Sequence, residues 1–144
     1  MTQFRFILPV LIGALFAVAG FSVEGAKVII TEATKYYPIK GRDGLEVSKA
    51  MRSGGARNIS LRHAIAATST RFSVGDAKLE IEGGRCVVRD ITVRLEIEYL
   101  YPKWDAKQRA SGAVQAAWDS FYAELVRHEQ THGRYAREAA AILE

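Results

Sequence analysis

The chain has 144 residues, of which 49% are hydrophobic and 25% are charged, and it contains only three prolines. This length is enough for one domain with a buried core, and the composition excludes a disordered, collagen-like or coiled-coil protein. The net charge of +4 comes from basic residues that are scattered along the chain. A scattered excess does not form a nucleic-acid groove, so we predict one globular domain with no nucleic-acid partner.

The first 26 residues have the layout of a signal peptide. Arg5 precedes an apolar run over residues 6–21, which ends in small residues. Pro9 and Gly13 interrupt this run, which is shorter than the roughly 20 apolar residues that span a bilayer. We predict a signal peptide over residues 1–26, with an uncleaved N-terminal anchor as the alternative. The domain over residues 27–144 is then periplasmic or secreted, without stable membrane contact once the signal is removed.

The first half of this domain predicts strands around one short helix. Residues 27–34 are rich in β-branched side chains, and the aromatic pair that follows extends this strand towards Gly41. Residues 45–51 show helical spacing, whereas residues 67–74 and 79–81 are strand-like. The single cysteine, Cys86, excludes an intramolecular disulfide, and we interpret it as a small apolar strand residue.

Residues 90–99 form the clearest predicted strand. Apolar side chains from Ile91 to Tyr99 alternate with polar ones, which is typical of an antiparallel sheet covered on one face. From about Ser111 to the end the pattern becomes helical, with a stripe at steps of three and four residues. The stripe consists of Val114, Trp118, Phe121, Leu125, His128, His132, Tyr135, Ala139 and Ile142. We therefore predict an α+β fold in which an antiparallel sheet packs against a long C-terminal helix, with the histidines facing inward.

His128, Glu129 and His132 form the pattern His-Glu-x-x-His on this helix. Histidines four residues apart lie on successive turns of one face, so both imidazoles can bind one zinc ion. Glu129 is turned about 100° around the helix from His128, where its carboxylate can accept a proton from water. The pattern predicts a zinc site with His128 and His132 as ligands and Glu129 as the catalytic base. The alternative is a pair of partly buried core histidines.

A third protein ligand is less evident. Glu138 is the nearest downstream carboxylate, but it lies about 120° around the helix from His132 and requires a bend near Gly133. We rank Glu138 first and His63 next, with Asp105 and Asp119 as further alternatives.

A zinc ion beside a carboxylate base is typical of a peptide hydrolase, and two further features belong to this prediction. Tyr135, three residues after His132, is a candidate donor to the oxyanion of the tetrahedral intermediate, with core packing as its alternative. The edge of the strand over residues 90–99 is the predicted docking edge for an extended peptide.

The chain resembles a bacterial family, domain of unknown function 922 (DUF922), and this resemblance implies a secreted zinc-dependent protease of the zincin type. The resemblance rests on short motifs spread along the domain: Tyr37-Pro38-Ile39-x-Gly41, Ala67-Thr68-Ser69-Thr70, Gly84-x-Cys86-x-Val88, Pro102-x-Trp104, Trp118-x-x-Phe121, His128-Glu129-x-x-His132 and Ala139-Ala140. It implies a zincin-like domain in which His128 and His132 are the metal ligands and Glu129 is the catalytic acidic residue.

The leading function is therefore an exported zinc metallopeptidase that hydrolyses a peptide or protein substrate. One alternative is a non-catalytic, zincin-like zinc-binding module of the cell envelope, and a weaker one is a protein that only sequesters zinc.

Overall fold

A computed structural model describes residues 22–24, 26–54 and 64–143. The strands are β1 (Ser22–Glu24), β2 (Lys27–Ile39), β3 (Ala67–Val74), β4 (Lys78–Glu82), β5 (Arg85–Arg89) and β6 (Thr92–Trp104). The helices are α1 (Gly44–Gly54) and α2 (Gly112–Ala141), with a short 3-10 turn at Lys107–Arg109 before α2. The predicted short helix, the strand over residues 67–74 and the C-terminal helix are confirmed. Residues 1–21, most of the predicted signal peptide, lie outside the described residues.

The six strands form two consecutive three-stranded sheets, with orders β1-β5-β4 and β2-β6-β3. β3 and β4 run antiparallel to β6 and β5, and the chain reverses at Gly83 and Gly84, whose φ angles are 57° and 77°. Glycine adopts such left-handed angles without a steric penalty, as a tight turn requires. The strands from β3 to β6 therefore form one long hairpin, which is interrupted where Gly75 N–H donates to the Thr92 carbonyl at 2.7 Å.

The sheet under α2 is mixed, so the prediction of an antiparallel sheet is wrong for one of its two strand pairs. β2 pairs with β6 in parallel along its whole length, from Lys27 opposite Thr92 to Ile39 opposite Trp104. The alternation in β6 showed that one face is buried, and the direction of a neighbouring strand has no effect on that alternation. The pairing direction is decided by the chain path between β2 and β6.

β6 is the central strand of this sheet, and its two faces have the predicted character. Leu95, Ile97 and Tyr99 are buried under α2. On the opposite face, Glu98 lies 2.6 Å from Lys35, and Glu96 lies 3.9 Å from Arg71. Such exposed ion pairs contribute little to stability, so the core on the α2 side holds the sheet and helix together.

The buried face of α2 follows the predicted stripe only in the first half of the helix, where Val114, Trp118 and Leu125 pack against the core. Ser111 caps the helix by accepting a hydrogen bond from Val114 N–H at 3.4 Å, and the helix continues unbroken to Ala141. Its buried residues are Glu129, Gly133, Ala136 and Ala140, whereas both histidines are exposed. The predicted stripe had a period of 3.5, which drifts about 20° per heptad from the period of a straight helix. The prediction that the histidines face inward is therefore wrong.

Small side chains allow α2 to approach the sheet closely. A methyl group added at Gly133 would lie 1.9 Å from the Tyr99 hydroxyl oxygen. Arg137, one turn later, contacts Glu32 of β2 at 2.6 Å. A second cluster, formed by Ile39, Val47, Met51 and Trp104, holds α1 against the other end of the sheet. Cys86 is half-buried in β5, which confirms its interpretation as a strand residue.

None of the helices in the described part of the chain is both long enough and apolar enough to span a membrane.

We predict that Gly133→Ala destabilises the fold because the new methyl group must push α2 away from Tyr99. Overpacking of this kind costs about 1–3 kcal/mol in the free energy of unfolding, which chemical denaturation measures. Gly112→Ala is the matched control, since nothing lies within 4 Å of the added methyl group. Equal stabilities for the two variants would contradict the close approach of α2 to β6.

Candidate metal centre

The two histidines of the His-Glu-x-x-His pattern lie side by side on the exposed face of α2. Their Nε2 atoms are 3.2 Å apart, and their ring centroids are separated by 4.9 Å. Two nitrogen ligands on one tetrahedral zinc, each about 2.1 Å from it, lie about 3.4 Å from each other. The separation therefore fits a shared metal ion, although it also fits a hydrogen bond in which one imidazole donates to the other.

Glu129 points in the other direction, towards the sheet. It is 6% exposed, which makes it the one buried charged residue in the described part of the chain. The Thr68 hydroxyl of β3 donates to its Oε2 at 2.6 Å and also lies 3.0 Å from its backbone carbonyl. A buried carboxylate is costly without such a partner, so the hydroxyl of Thr68 compensates in part for the burial of Glu129.

A pocket of about 720 Å³ joins these residues between α2 and β3. Its walls include both histidines and Glu129. The other lining residues are mostly apolar, among them Ile65, Phe72 and Leu125. The pocket thus places a charged, proton-accepting group and two metal-ligand side chains in mainly apolar surroundings.

The strand that borders this pocket is β3, and it lies at the sheet edge. β6 pairs with one side of β3, and no other strand of the described residues pairs with its opposite side. The predicted docking edge over residues 90–99 is therefore wrong. Most of that segment belongs to β6, whose two sides are occupied by β2 and β3.

The structure does not bring Glu138 to the histidines. Glu138 is exposed and pairs with Arg134 at 3.7 Å, and α2 continues through Gly133 without the interruption that the prediction required. Within residues 22–24, 26–54 and 64–143, no three histidine, cysteine or acidic side chains are grouped so that they could hold a metal.

The remaining alternatives for the third ligand lie elsewhere. Asp119 pairs with Lys107, and Asp105 is exposed just after the end of β6. His63 lies outside the described residues, although its neighbour in the chain, Ala64, lines the pocket.

Two tyrosines complete the surroundings. Tyr135, the candidate oxyanion donor, lines the pocket and is 56% exposed, with the guanidinium of Arg134 at 5.1 Å from its ring centroid.

Tyr101 of β6 is buried, and its hydroxyl has no hydrogen-bond partner among the described residues. Burial raises the pKa of Tyr101 to about 12, and the negative charge of Glu129 adds to this effect. Neither Thr68 nor Tyr101 was among the predicted site residues. In the sequence, Thr68 stands out only as part of the family motif Ala67-Thr68-Ser69-Thr70. Nothing in the sequence distinguishes Tyr101 from other aromatic strand residues.

We predict that Tyr101→Phe leaves the thermal stability unchanged or raises it, because the variant removes a buried hydroxyl that forms no hydrogen bond. Tyr37→Phe is the control, since the Tyr37 hydroxyl donates to the Ile65 carbonyl at 2.6 Å. Its loss should cost about 1 kcal/mol in the free energy of unfolding. A similar cost for Tyr101→Phe would mean that its hydroxyl has a partner in solution.

No curated protein and no solved structure matches the chain. A family model described as "bacterial protein of unknown function (DUF922)" matches residues 34–144, which include α1, the strands from β3 to β6 and all of α2. The family resemblance is thus confirmed, and the matched range includes His128, Glu129 and His132. The chain belongs to the bacterial DUF922 family.

Proposed function

We propose that this protein is an exported zinc-dependent metallopeptidase. The observation that carries the proposal is the arrangement on α2, where two histidine Nε2 atoms lie 3.2 Å apart beside a pocket that Glu129 also lines. The resemblance to DUF922, whose matched range includes the motif, implies a zincin-type protease and supports the proposal as well. Export rests on the signal-peptide layout of residues 1–26.

In this proposal each residue of the motif has a separate chemical role. His128 and His132 hold zinc, which when bound polarises a substrate carbonyl and lowers the pKa of water towards about 7. The Glu129 carboxylate accepts the proton of the attacking water and passes it to the leaving amine. A catalytic zinc site usually has three protein ligands, so the proposal requires one more. We propose His63 for this position, because its neighbour Ala64 lines the pocket.

The substrate is then an extended peptide that adds as a strand to the edge of β3 that no described strand covers. Edge strands offer unpaired N–H and C=O groups in the spacing that a peptide backbone matches. The apolar lining of the pocket favours an apolar side chain near the bond to be cleaved.

A non-catalytic zinc-binding module is the second candidate. The observation in its favour is that Glu129 is only 6% exposed and is bonded to Thr68, so its carboxylate has a structural role that requires no reaction. A structural zinc site has a closed set of four protein ligands, whereas a catalytic site keeps one position for water. X-ray absorption on the zinc-loaded protein distinguishes the two, because four protein ligands would favour the module.

The first experiment measures zinc content and peptide cleavage on the exported protein, purified from cells that express the full chain. We expect about one zinc per chain, by mass spectrometry of metals, and its loss in the double variant His128→Ala, His132→Ala. Glu129→Gln should keep the zinc and lower kcat by a factor of about 10²–10⁴, since it removes the general base.

The same assay tests His63 as the third ligand, because His63→Ala should then lower the zinc content. Glu138→Ala is its control and should leave the zinc content unchanged, since Glu138 pairs with Arg134. A native protein without zinc, or a Glu129→Gln variant that cleaves as fast as the native protein, would exclude the proposed mechanism.

The docking edge is tested by Phe72→Glu. This variant places a charge on β3, in the wall of the pocket. Desolvating this charge on substrate binding costs about 1–3 kcal/mol, so we expect KM to rise roughly tenfold or more with little change in kcat. Ser73→Glu is the control, because the next side chain of a strand points to the opposite face. Unchanged KM in Phe72→Glu would exclude docking on β3.

A further inference from the structure

We infer that Thr68 is a positioning residue that holds the Glu129 carboxylate in place for proton transfer. This inference rests on the proposed peptidase function and adds a residue to it that the His-Glu-x-x-His pattern does not contain.

The contact between these residues is specific to the carboxylate. Thr68 has one hydroxyl hydrogen, and Glu129 offers two acceptors, Oε2 at 2.6 Å and the backbone carbonyl at 3.0 Å. The shorter contact is to the side-chain oxygen, so the carboxyl group of Glu129 is the preferred acceptor. No other hydrogen bond to the Glu129 side chain occurs within the described residues, so Thr68 alone orients this carboxylate there.

Thr68 is itself held by the strand pair that sets the position of α2. It lies directly opposite Tyr99 in the antiparallel register of β3 and β6. The Tyr99 hydroxyl occupies the space where a side chain of Gly133 would lie, one helical turn after Glu129. One cross-strand pair therefore contacts two successive turns of α2, and His132 lies between these two contacts in the sequence.

The need for such a residue follows from the flexibility of glutamate. Its three side-chain torsions allow the carboxylate to leave the position in which it meets water, and a misplacement of about 1 Å can cost about 10²-fold in rate. Thr68 also lines the pocket on β3, the strand on which the peptide is proposed to dock. The same residue thus links the docking strand to the base.

Three variants test the inference in the exported, zinc-loaded protein. Thr68→Val keeps the shape and removes the hydroxyl, Thr68→Ser keeps the hydroxyl, and Thr31→Val makes the same chemical change on the exposed β2 strand outside the pocket. We expect Thr68→Val to lower kcat by a factor of about 10–100, with KM and zinc content unchanged. Thr68→Ser should stay within about threefold of the native kcat, and Thr31→Val should be unchanged.

A purely structural role would give a different result, since a hydrogen bond that only joins α2 to β3 changes stability and leaves kcat of the folded protein intact. A Thr68→Val variant with native kcat, or a Thr68→Ser variant as slow as Thr68→Val, overturns the inference while the proposed function stands. A native protein that does not cleave peptides, whether or not it holds zinc, overturns both, because no reaction then remains for Thr68 to assist.

Discussion

The close contact between α2 and the cross-strand pair Thr68 and Tyr99 determines the geometry of the candidate site. Gly133 allows the Tyr99 hydroxyl to approach the helix backbone, and Thr68 bonds to Glu129 one turn earlier. Because interiors are close-packed, a helix held at two successive turns has little freedom to rotate. With Glu129 turned towards the sheet, the helical spacing leaves His128 and His132 exposed at the pocket.

The order of the strands explains why the pocket has an open side. The parallel pairing of β2 with β6 places β6 in the centre and leaves β3 at the sheet edge, next to the histidines. If the three strands were paired in chain order, β3 would lie in the centre of the sheet and β6 at its edge. The proposed peptidase depends on this arrangement, because an extended substrate requires a strand edge with free backbone groups close to the catalytic base.

Much of the fold was predictable because its signals are local. The alternation of β6 and the helical spacing of α1 and α2 each act over a few residues, and all three elements occur in the structure. The buried face of α2 was predicted correctly at Val114, Trp118 and Leu125 but not in the second half of the helix, because large residues were used to trace the stripe there. The helix instead packs through Gly133, Ala136 and Ala140, since small residues permit the closest approach to the sheet.

For the site, the sequence by itself determined that His128 and His132 share one face of a helix, with Glu129 turned away from them, because helical geometry follows from residue spacing. Only the tertiary structure decided that Glu129 is buried against Thr68 and that β3 rather than β6 lies at the edge of the described sheet. These contacts join residues that are far apart in the chain. Local spacing does not encode them, and the packing of α2 on the mixed sheet does.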